Sequence, residues 1–453
     1  MKGGAAPARA AALRVLERVT AEAAFADLAL EAELDRRRLS ARDAALATEI
    51  VLGTLRWQRY LDWILGPHSK RRLDALDPRP LALLRMTAYQ LAFLERVPSF
   101  AAVNDAVTLA HAGRKPGVAE FVNAVLRSFA RRGVREREPA PPRDPLEALA
   151  TRCSFPTWLA ARWVARYGAA EAEALMRQLN ERPPLTLRAN TLRTTREALA
   201  ERLGREEHIT SRPTLYAPEG LVAEHGGRPG SWRAFADGAV AVQDEASMLV
   251  APLLEPRPGD TVADVCAAPG TKTTHLAQLL GNRGRILAFD PQPARLALVR
   301  EAAARLGVTI VETLDGTTEA LAPSFAGLCD GVLVDAPCSN LGVLRRNPEV
   351  KWRRAPRDLV ESAARQRAIL AAAATMVKAG GRLVYATCSL EPEENDAIAR
   401  AFLAARADFA LDPPRDAPLP PGGDGALRCL PHRHGTDGFT ALRLRRAIKE
   451  PGS

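Results

Sequence analysis

Short apolar segments separated by helical stretches follow one another in the carboxyl-terminal half of the chain, and this pattern restricts the fold most strongly. The segments are residues 261–266, 285–290, 308–312, 331–335 and 382–387. Short strands that alternate with helices typically form a parallel sheet with helices on both faces. The sequence therefore predicts a doubly wound α/β domain of the Rossmann-like type, in which ligands bind at the carboxyl ends of the strands.

Two of these segments are followed closely by a cysteine. The fourth ends at Asp335 and continues Ala-Pro-Cys338, while the last is followed directly by Cys388, fifty residues after Cys338. A single free cysteine is usually an inert, half-buried residue. Two cysteines at the ligand-binding ends of two predicted strands, with Asp335 beside one of them, favour a chemical role.

A turn of small residues follows the first segment and opens a helix. Its sequence is Asp264-Val-Cys-Ala-Ala-Pro-Gly270-Thr-Lys272. Such a turn lets the backbone approach a ligand closely, and the helix N-terminus supplies N–H donors. Asp290 ends the second segment, where a carboxylate accepts hydrogen bonds from the hydroxyls of a ribose, and Asp315 follows the third segment.

Three nucleotide-type ligands compete for this predicted site. A nicotinamide dinucleotide would require the pattern GxGxxG and a P-loop nucleotide would require GxxxxGK[ST], and both patterns are absent from the sequence. A nucleoside ligand without a pyrophosphate remains. S-adenosylmethionine fits that description, so we expect it as the cofactor.

The cysteines add a specific reaction to this cofactor. Carbon 5 of a pyrimidine is a poor nucleophile, but a thiolate that adds to carbon 6 enables carbon 5 to attack a methyl sulfonium. An acid near N3 of the base stabilises the adduct, and Asp335 is a candidate for that acid. Chemistry alone does not rank Cys338 and Cys388 as the nucleophile. Transfer to an amino group is the alternative, but it uses an Asn/Asp-Pro-Pro-aromatic turn that this chain lacks.

The length of 453 residues predicts more than one domain. Residues 1–133 show helical periodicity without strand alternation, which predicts an all-helical bundle. The Pro-rich residues 134–145 predict a linker. Residues 146–237 predict a small mixed α+β domain, and residues 238–448 the α/β domain.

Composition indicates the partners and the compartment. A net charge of +10 and a pI near 9.7 favour a polyanionic partner, with solvated charged faces as the alternative. Six cysteines without a CxxC pair fit reduced thiols in the cytosol, and no apolar run has the length of a signal or membrane segment. We therefore expect a soluble, cytoplasmic and monomeric protein. We expect no metal site, because Cys429, His432 and His434 lack a fourth ligand.

Basic residues occur in clusters that indicate either solvated faces or RNA binding. A second group follows the Cys338 turn, and we predict that it holds RNA phosphates beside a flipped base, with ordinary surface charge as the alternative. In the helical region the clusters are 36–38, 70–72, Arg127, Arg131 and Arg132, and the second group is Arg345, Arg346, Lys351 and Arg353.

Several motifs resemble known families. Asp43-Ala-Ala-Leu-Ala-Thr-Glu49, Gly53-Thr-Leu-Arg-Trp57 and Phe121-Val-Asn-Ala-Val-Leu-Arg127 resemble the NusB antitermination-factor family of RNA-binding helical domains. Asp264 to Lys272, Asp335-Ala-Pro-Cys338-Ser, Arg346-Asn-Pro-Glu-Val-Lys-Trp352 and Tyr385-Ala-Thr-Cys388 to Asn395 stand in the order found in RNA 5-methylcytosine methyltransferases. Together they resemble the ribosomal RNA small-subunit methyltransferase B family, also called Sun or Fmu.

The resemblance implies methyl transfer from S-adenosylmethionine to carbon 5 of a cytosine in small-subunit (16S) ribosomal RNA. It implies that Cys388 is the nucleophile and that Cys338 assists release of the product. A non-catalytic RNA-binding or antitermination factor, or a methyltransferase of another RNA such as tRNA, is the alternative. The cofactor contacts that the resemblance implies are Cys266, Ala267, Ala268, Pro269, Gly270, Thr271 (where the family usually has glycine), Lys272, Asp290, Asp315 and Asp335.

Overall fold

The computed structural model describes residues 6–131, 138–224, 227–416, 418–419 and 422–448. The chain forms two compact units. The first comprises Met1–Arg182 and Leu344–Arg353, and the second Pro183–Val343 and Arg354–Ser453. The linker expected at residues 134–145 lies partly outside the described residues, and the domain boundaries expected from the sequence stay predictions.

The first unit is helical where the structure describes it, as the sequence predicts for residues 1–133, and it also includes three helices from the region predicted as a mixed α+β domain. Ser40 begins α3 as expected from its capping box, because its Oγ accepts a hydrogen bond from the Asp43 N–H at 3.1 Å. Apolar faces of the helices up to α7 share one core, which includes Ile50, Leu83 and Phe129. The helices are α1 Pro7–Ala21, α2 Ala26–Arg37, α3 Ala41–Arg56, α4 Gln58–Leu65, α5 Pro78–Phe93, α6 Ser99–Ala112, α7 Val118–Ala130, α8 Pro145–Arg152, α9 Thr157–Tyr167 and α10 Ala169–Leu179.

A small antiparallel sheet begins the second unit. Its strand order is β2-β3-β1-β4. Thr195 caps the neighbouring helix α11, because its side chain accepts a hydrogen bond from the Ala198 N–H at 3.1 Å. The elements are β1 Leu185–Ala189, α11 Arg196–Glu207, β2 Ser211–Pro213, β3 Gly220–Ala223, α12 Arg233–Ala236 and β4 Val240–Val242.

The larger sheet of the second unit has the order β10-β12-β9-β8-β5-β6-β7, and β11 pairs with β12. Neighbouring strands from β9 to β7 in this order run parallel, while β12 is antiparallel to β9 and β10 is antiparallel to β12. The strands are β5 Thr261–Asp264, β6 Arg285–Asp290, β7 Val311–Asp315, β8 Cys329–Asp335, β9 Val377–Thr387, β10 Phe409–Leu411, β11 Leu427–Cys429 and β12 Phe439–Arg446.

Both faces of this sheet are buried under apolar side chains. Along β8, Leu333 belongs to one core cluster, while Val332 and Val334 belong to the other. This alternation is the two-residue period of a strand, so the α/β class predicted from the strand pattern is confirmed. The helices that follow in the chain are α13 Glu245–Met248, α14 Thr271–Leu279, α15 Pro293–Leu306, α16 Thr318–Leu321, α17 Val350–Arg353, α18 Pro356–Met376, α19 Asp396–Ala405 and α20 Pro431–His434.

Two strands differ from the sequence prediction. The third strand is Val311–Asp315 rather than residues 308–312, because the Val308 N–H still closes the end of α15 through a 2.8 Å hydrogen bond to the Ala303 carbonyl. Strand β9 begins at Val377 rather than at residue 382, so Gly380 lies inside this strand with φ of +76°. The shift of β7 makes Asp315 its last residue.

The segment Leu344–Arg353 leaves the second unit and belongs to the first. Lys351 on α17 is 1% exposed, and its Nζ donates to the Arg56 carbonyl at 2.8 Å and to Asn180 Oδ1 at 2.9 Å. The same Nζ lies 4.0 Å from the centre of the Phe155 ring. This lysine is therefore a buried anchor of the first unit.

Candidate active site

The loop between β5 and α14 carries most of the predicted cofactor contacts. Cys266 to Gly270 form the turn, and Thr271 and Lys272 begin α14. Gly270 has φ of +99°, and a Cβ atom at this position would lie 3.0 Å from the Cα of Val299. Glycine is needed here because both the backbone conformation and the close approach of α15 disfavour a side chain.

Asp264, the last residue of β5, is fully buried under this loop. Its Oδ2 accepts a hydrogen bond from Thr273 Oγ1 at 2.7 Å, and its Oδ1 has no hydrogen-bond partner among the described residues. Burial raises the pKa of Asp264 to about 6. The sequence analysis assigned no role to this side chain, although it begins the predicted loop motif.

Asp290 and Asp315 are direct neighbours at the carboxyl ends of β6 and β7. Asp290 is buried, and its Oδ1 accepts a hydrogen bond from the Gln292 N–H at 3.0 Å. Its Oδ2 lies 3.3 Å from Nη1 of Arg295. Asp315 is exposed. The predicted ribose-binding carboxylate therefore lies at the strand edge with a second carboxylate beside it.

Asp335 ends β8 and pairs with Lys272 from the start of α14. The distance from Lys272 Nζ to Asp335 Oδ2 is 2.7 Å. The lysine side chain is 7% exposed, and its Nζ lies 4.9 Å from the centre of the Phe439 ring. This ion pair joins the predicted cofactor loop to the strand that leads to the first cysteine.

The two predicted cysteines lie in contact. The Sγ atoms of Cys338 and Cys388 are 3.2 Å apart, because β8 and β9 are parallel neighbours and each thiol follows the end of its strand. The pKa of Cys338 is raised well above its usual value by the hydrogen bond to Cys388 and by burial. The structure thus brings two thiols and Asp335 to one edge of the sheet.

The buried carboxylate of Glu394 is hydrogen-bonded to both of the turns that carry the cysteines. Glu394 accepts hydrogen bonds from the Ser339 N–H at 2.8 Å, from the Ser339 hydroxyl at 2.5 Å and from the Ser389 hydroxyl. Gln366 on α18 adds a further donor at 3.2 Å. The sequence analysis gave these residues no role. The signal for them was the serine that follows each cysteine.

Backbone contacts fix the same turns from another side. The Gly342 N–H donates to the Cys388 carbonyl at 2.9 Å, and the Gly438 N–H donates to the Gly342 carbonyl at 2.8 Å. A Cβ atom at Gly342 would lie 2.2 Å from the Gly438 oxygen and 2.8 Å from the Cys388 oxygen. The turn after Cys338 therefore packs directly on the turn that carries Cys388.

Arg188 links the small sheet to the cofactor loop within the second unit. This fully buried arginine on β1 donates to the Thr271 carbonyl at 2.8 Å and to Thr274 Oγ1 at 3.0 Å, and it also contacts Gln243. The sequence did not indicate a role for this arginine. Its contacts hold the first turn of α14.

The prediction that the group after the Cys338 turn holds RNA phosphates is wrong for three of its four members. Arg345 and Lys351 are each 1% exposed. The Arg353 guanidinium donates to the carbonyls of Val19 at 2.7 Å and Ala24 at 2.6 Å, both in the first unit. Arg346 is half-buried. A cluster of charges in sequence does not reveal that α17 is an internal element of the first unit.

Comparison with known proteins defines the class to which this fold and site belong. The family model described as 16S rRNA methyltransferase RsmB/F matches residues 251–445, and the NusB family matches residues 6–131. A ferredoxin-like domain of RsmF/B-like methyltransferases matches residues 155–228. The chain therefore combines a domain of the RsmB/F methyltransferase type with a NusB-like helical domain.

Whole-chain relatives narrow this class to one family. The chain is 37% identical to a probable ribosomal RNA small subunit methyltransferase B of Bacillus subtilis, over 96% of this chain and 98% of the relative. It is 36% identical to the ribosomal RNA small subunit methyltransferase B of Sodalis glossinidius, over 91% of each chain. The chain belongs to the ribosomal RNA small subunit methyltransferase B family, which confirms the resemblance found in its motifs.

Solved structures share the fold. The crystal structure of PH0851 matches 98% of this chain and 100% of its own, with a TM-score of 0.84 and 30% identity. NSun6 from Pyrococcus horikoshii, solved with SFG, matches 65% of this chain and 99% of its own, with a TM-score of 0.59 and 27% identity. Among the described residues, no helix has both the length and the hydrophobicity to span a bilayer.

Proposed function

We propose that this protein transfers a methyl group from S-adenosylmethionine to carbon 5 of a cytosine in small-subunit ribosomal RNA, through a covalent adduct between Cys388 and carbon 6. The observation that carries the proposal is the 3.2 Å contact between the Cys338 and Cys388 sulfur atoms at the carboxyl ends of two parallel strands. Two thiols in this position suit the formation and the resolution of a pyrimidine adduct.

The loop after β5 fits the cofactor. Oδ1 of Asp264 is buried without a partner among the described residues, which suits a donor such as the amino group of the cofactor. The close approach at Gly270 leaves the backbone free of a side chain, and Asp290 and Asp315 suit the ribose. SFG, present in the NSun6 crystal structure, is an analogue of S-adenosylmethionine, which supports the same cofactor here.

The proposed reaction has two stages, the addition of Cys388 to the base and the release of the methylated product. Cys388 adds to carbon 6 as a thiolate, and N3 of the base takes up a proton from Asp335, which acts here in its protonated form. S-adenosylmethionine, when bound, would supply the methyl group to carbon 5, and its sulfur–methyl bond would break to leave S-adenosylhomocysteine. The proton on carbon 5 then leaves to solvent with assistance from Cys338, and its electron pair restores the double bond between carbons 5 and 6. The Cys388 thiolate is expelled, and the N3 proton returns to Asp335. The contact with Lys272 orients the Asp335 carboxyl group.

The helical domain is proposed to bind the RNA. Its basic clusters differ in how they are paired: Arg36 and Arg37 contact Glu33, and Arg72 contacts Asp74, whereas Lys70 and Arg71 are exposed. Charges held by carboxylates release fewer counterions from a phosphate backbone. Lys70 and Arg71 are therefore the better candidates for phosphate contacts.

Substitution of each thiol tests the mechanism. With small-subunit RNA and S-adenosylmethionine, we expect Cys388→Ala to abolish methyl transfer, because no adduct can form. Cys338→Ala should form the adduct but release it slowly, so a covalent protein–RNA band should accumulate on a denaturing gel. Sequencing of bisulfite-treated RNA should locate the product as 5-methylcytosine in the wild-type reaction and should find none in the Cys388→Ala reaction.

A buried cysteine outside the site provides the control. Cys153 is 2% exposed and lies in the first unit, so Cys153→Ala should retain methyl transfer and give no covalent band. A covalent band from Cys388→Ala but not from Cys338→Ala would reverse the two roles. Methyl transfer by the double cysteine variant would refute the covalent mechanism.

A further inference from the structure

Asn340 contacts both thiols. Its Oδ1 lies 3.0 Å from Sγ of Cys388 and 3.6 Å from Sγ of Cys338. The residue has φ of +62°, in the left-handed region that asparagine tolerates better than most residues with a side chain. The turn after Cys338 is thus shaped to place one amide group against two sulfur atoms.

A carboxamide can form a hydrogen bond with a cysteine side chain in either protonation state. Its oxygen accepts a hydrogen bond from an S–H group, and its NH₂ group donates to a thiolate. The two ends exchange places when the amide turns by half a rotation, so the same side chain fits Cys388 before and after the thiol loses its proton. An N–H donor beside a thiolate stabilises the charged form, which is the nucleophile.

We propose, on the basis of the function proposed above, that Asn340 is a positioning residue that holds both thiols on one amide and donates an N–H hydrogen bond to the Cys388 thiolate. Cys338 assists from the other side, because a neighbouring thiol can donate an S–H hydrogen bond to the Cys388 thiolate. Asn340 thereby connects the activation of the nucleophile to the alignment of the thiol that assists release.

Other ionisable groups near the thiols come from several elements. Cys338 lies on the same turn as Asn340, Glu394 lies under both turns, and Tyr385 precedes Cys388 on β9. The ion pair of Lys272 and Asp335 stands at the end of β8. A substitution of Asn340 leaves all of these groups in place, so a change in the titration of Cys388 reports on the amide.

Alkylation of the full-length protein by iodoacetamide tests the proposal without RNA or cofactor. The rate at Cys388, followed by mass spectrometry of its peptide, should rise with pH as the thiolate forms. Asn340→Gly retains the left-handed backbone but removes the amide, and its midpoint should lie about one pH unit higher, which is about tenfold less thiolate below the midpoint. Asn340→Asp should shift the midpoint further, because a carboxylate repels the thiolate.

A left-handed asparagine elsewhere in the second unit is the matched control. Asn282 has φ of +55°, and Asn282→Gly should leave the midpoint at Cys388 unchanged. In turnover, Asn340→Gly should lower kcat at least fivefold without raising KM for RNA, and the loss should diminish at alkaline pH. A purely structural role would give no such recovery.

The outcomes separate this proposal from the covalent mechanism. An unchanged midpoint in Asn340→Gly would overturn the role of the amide, even if wild-type protein forms the RNA adduct. A raised midpoint would support that role even if no adduct were found, in which case the covalent mechanism alone would fail. If Asn340→Gly does not fold, Asn340→Ala, which removes the amide without adding a charge, decides the result.

Discussion

At the scale of single residues, Asp264 places a buried carboxyl group under the predicted cofactor loop, and this burial lowers the stability of the folded protein. The side chain is fully buried, and only one of its two oxygens has a partner among the described residues. Burial without full pairing disfavours the carboxylate, which is why the pKa of Asp264 rises to about 6. A ligand that donates to the second oxygen would offset this cost.

Asp264→Asn should therefore change the pH dependence of stability. A folded pKa of about 6 against 3.8 means that the folded state holds the proton more tightly, so the contribution of Asp264 to stability is lost as the pH rises from about 4 to about 6. The loss amounts to at most about 3 kcal/mol. The variant has no such titration, so its unfolding free energy relative to wild type should increase between pH 4.5 and pH 7.5 in denaturant titrations.

The same variant should bind S-adenosylmethionine more weakly, which a smaller thermal shift with the cofactor would show. Asp416 is exposed and provides the control, because Asp416→Asn should alter neither the pH dependence nor the thermal shift. If Asp264→Asn and wild type kept a constant stability difference across this pH range, the pKa of Asp264 would not be raised in the folded protein.

At the scale of elements, the site depends on two strand ends that are held together by their turns. Glu394 fixes Ser339 and Ser389 with hydrogen bonds, and Gly342 allows the two backbones to touch. The turns are therefore one rigid piece rather than two loops, which explains how thiols fifty residues apart can lie 3.2 Å from each other. Catalysis that requires both thiols is sensitive to this backbone contact.

Gly342→Ala should displace the thiols relative to each other. Its Cβ would meet backbone oxygen atoms of Gly438 and Cys388 at 2.2 and 2.8 Å, so one turn must move. We expect kcat to fall at least tenfold while the RNA dissociation constant stays within twofold, measured by single-turnover kinetics and by filter binding. Gly230→Ala is the control, because a Cβ there meets no atom within 4 Å. Full activity of Gly342→Ala would show that the contact is unimportant.

The sequence predicts the elements of this site better than their connections. Apolar runs and their terminal Asp335, Cys338 and Cys388 could be found because strand ends leave a clear pattern. Periodicity could not place β7, since the apolar Val308 completes a helix end. It also gave no sign of Asn340, because a left-handed turn and its contacts arise only when β8 and β9 lie side by side.

At the scale of the whole molecule, the chain contributes one segment of the methyltransferase sequence to the helical unit. Leu344–Arg353 follows the Cys338 turn and belongs to the first unit, and the side chains of Arg345, Glu349 and Lys351 are buried. The net charge of +10 therefore overstates the surface available to RNA. Burial lowers the pKa of Lys351 well below its usual value, as expected for an ammonium group removed from water.

Substitutions of Lys70 and Lys351 should distinguish a lysine that binds RNA from a lysine that stabilises the fold. Each phosphate contact contributes roughly one unit to the slope of log affinity against log salt concentration. Lys70→Ala should reduce that slope by about one and leave stability within about 0.5 kcal/mol, because Lys70 is exposed. Lys351→Met should leave the slope unchanged and alter the unfolding free energy, since it removes two hydrogen bonds from the core of the first unit.

Filter binding of small-subunit RNA over a series of salt concentrations measures the slope, and denaturant titration measures stability in the same preparations. Arg72→Ala gives an internal comparison, because this neighbour of Lys70 is already paired with Asp74 and should change the slope less. An unchanged slope for Lys70→Ala would show that Lys70 makes no phosphate contact and would contradict a role of the 70–72 cluster in RNA binding. A reduced slope for folded Lys351→Met would instead require α17 to move out of the first unit when RNA binds, so that its lysine could reach a phosphate.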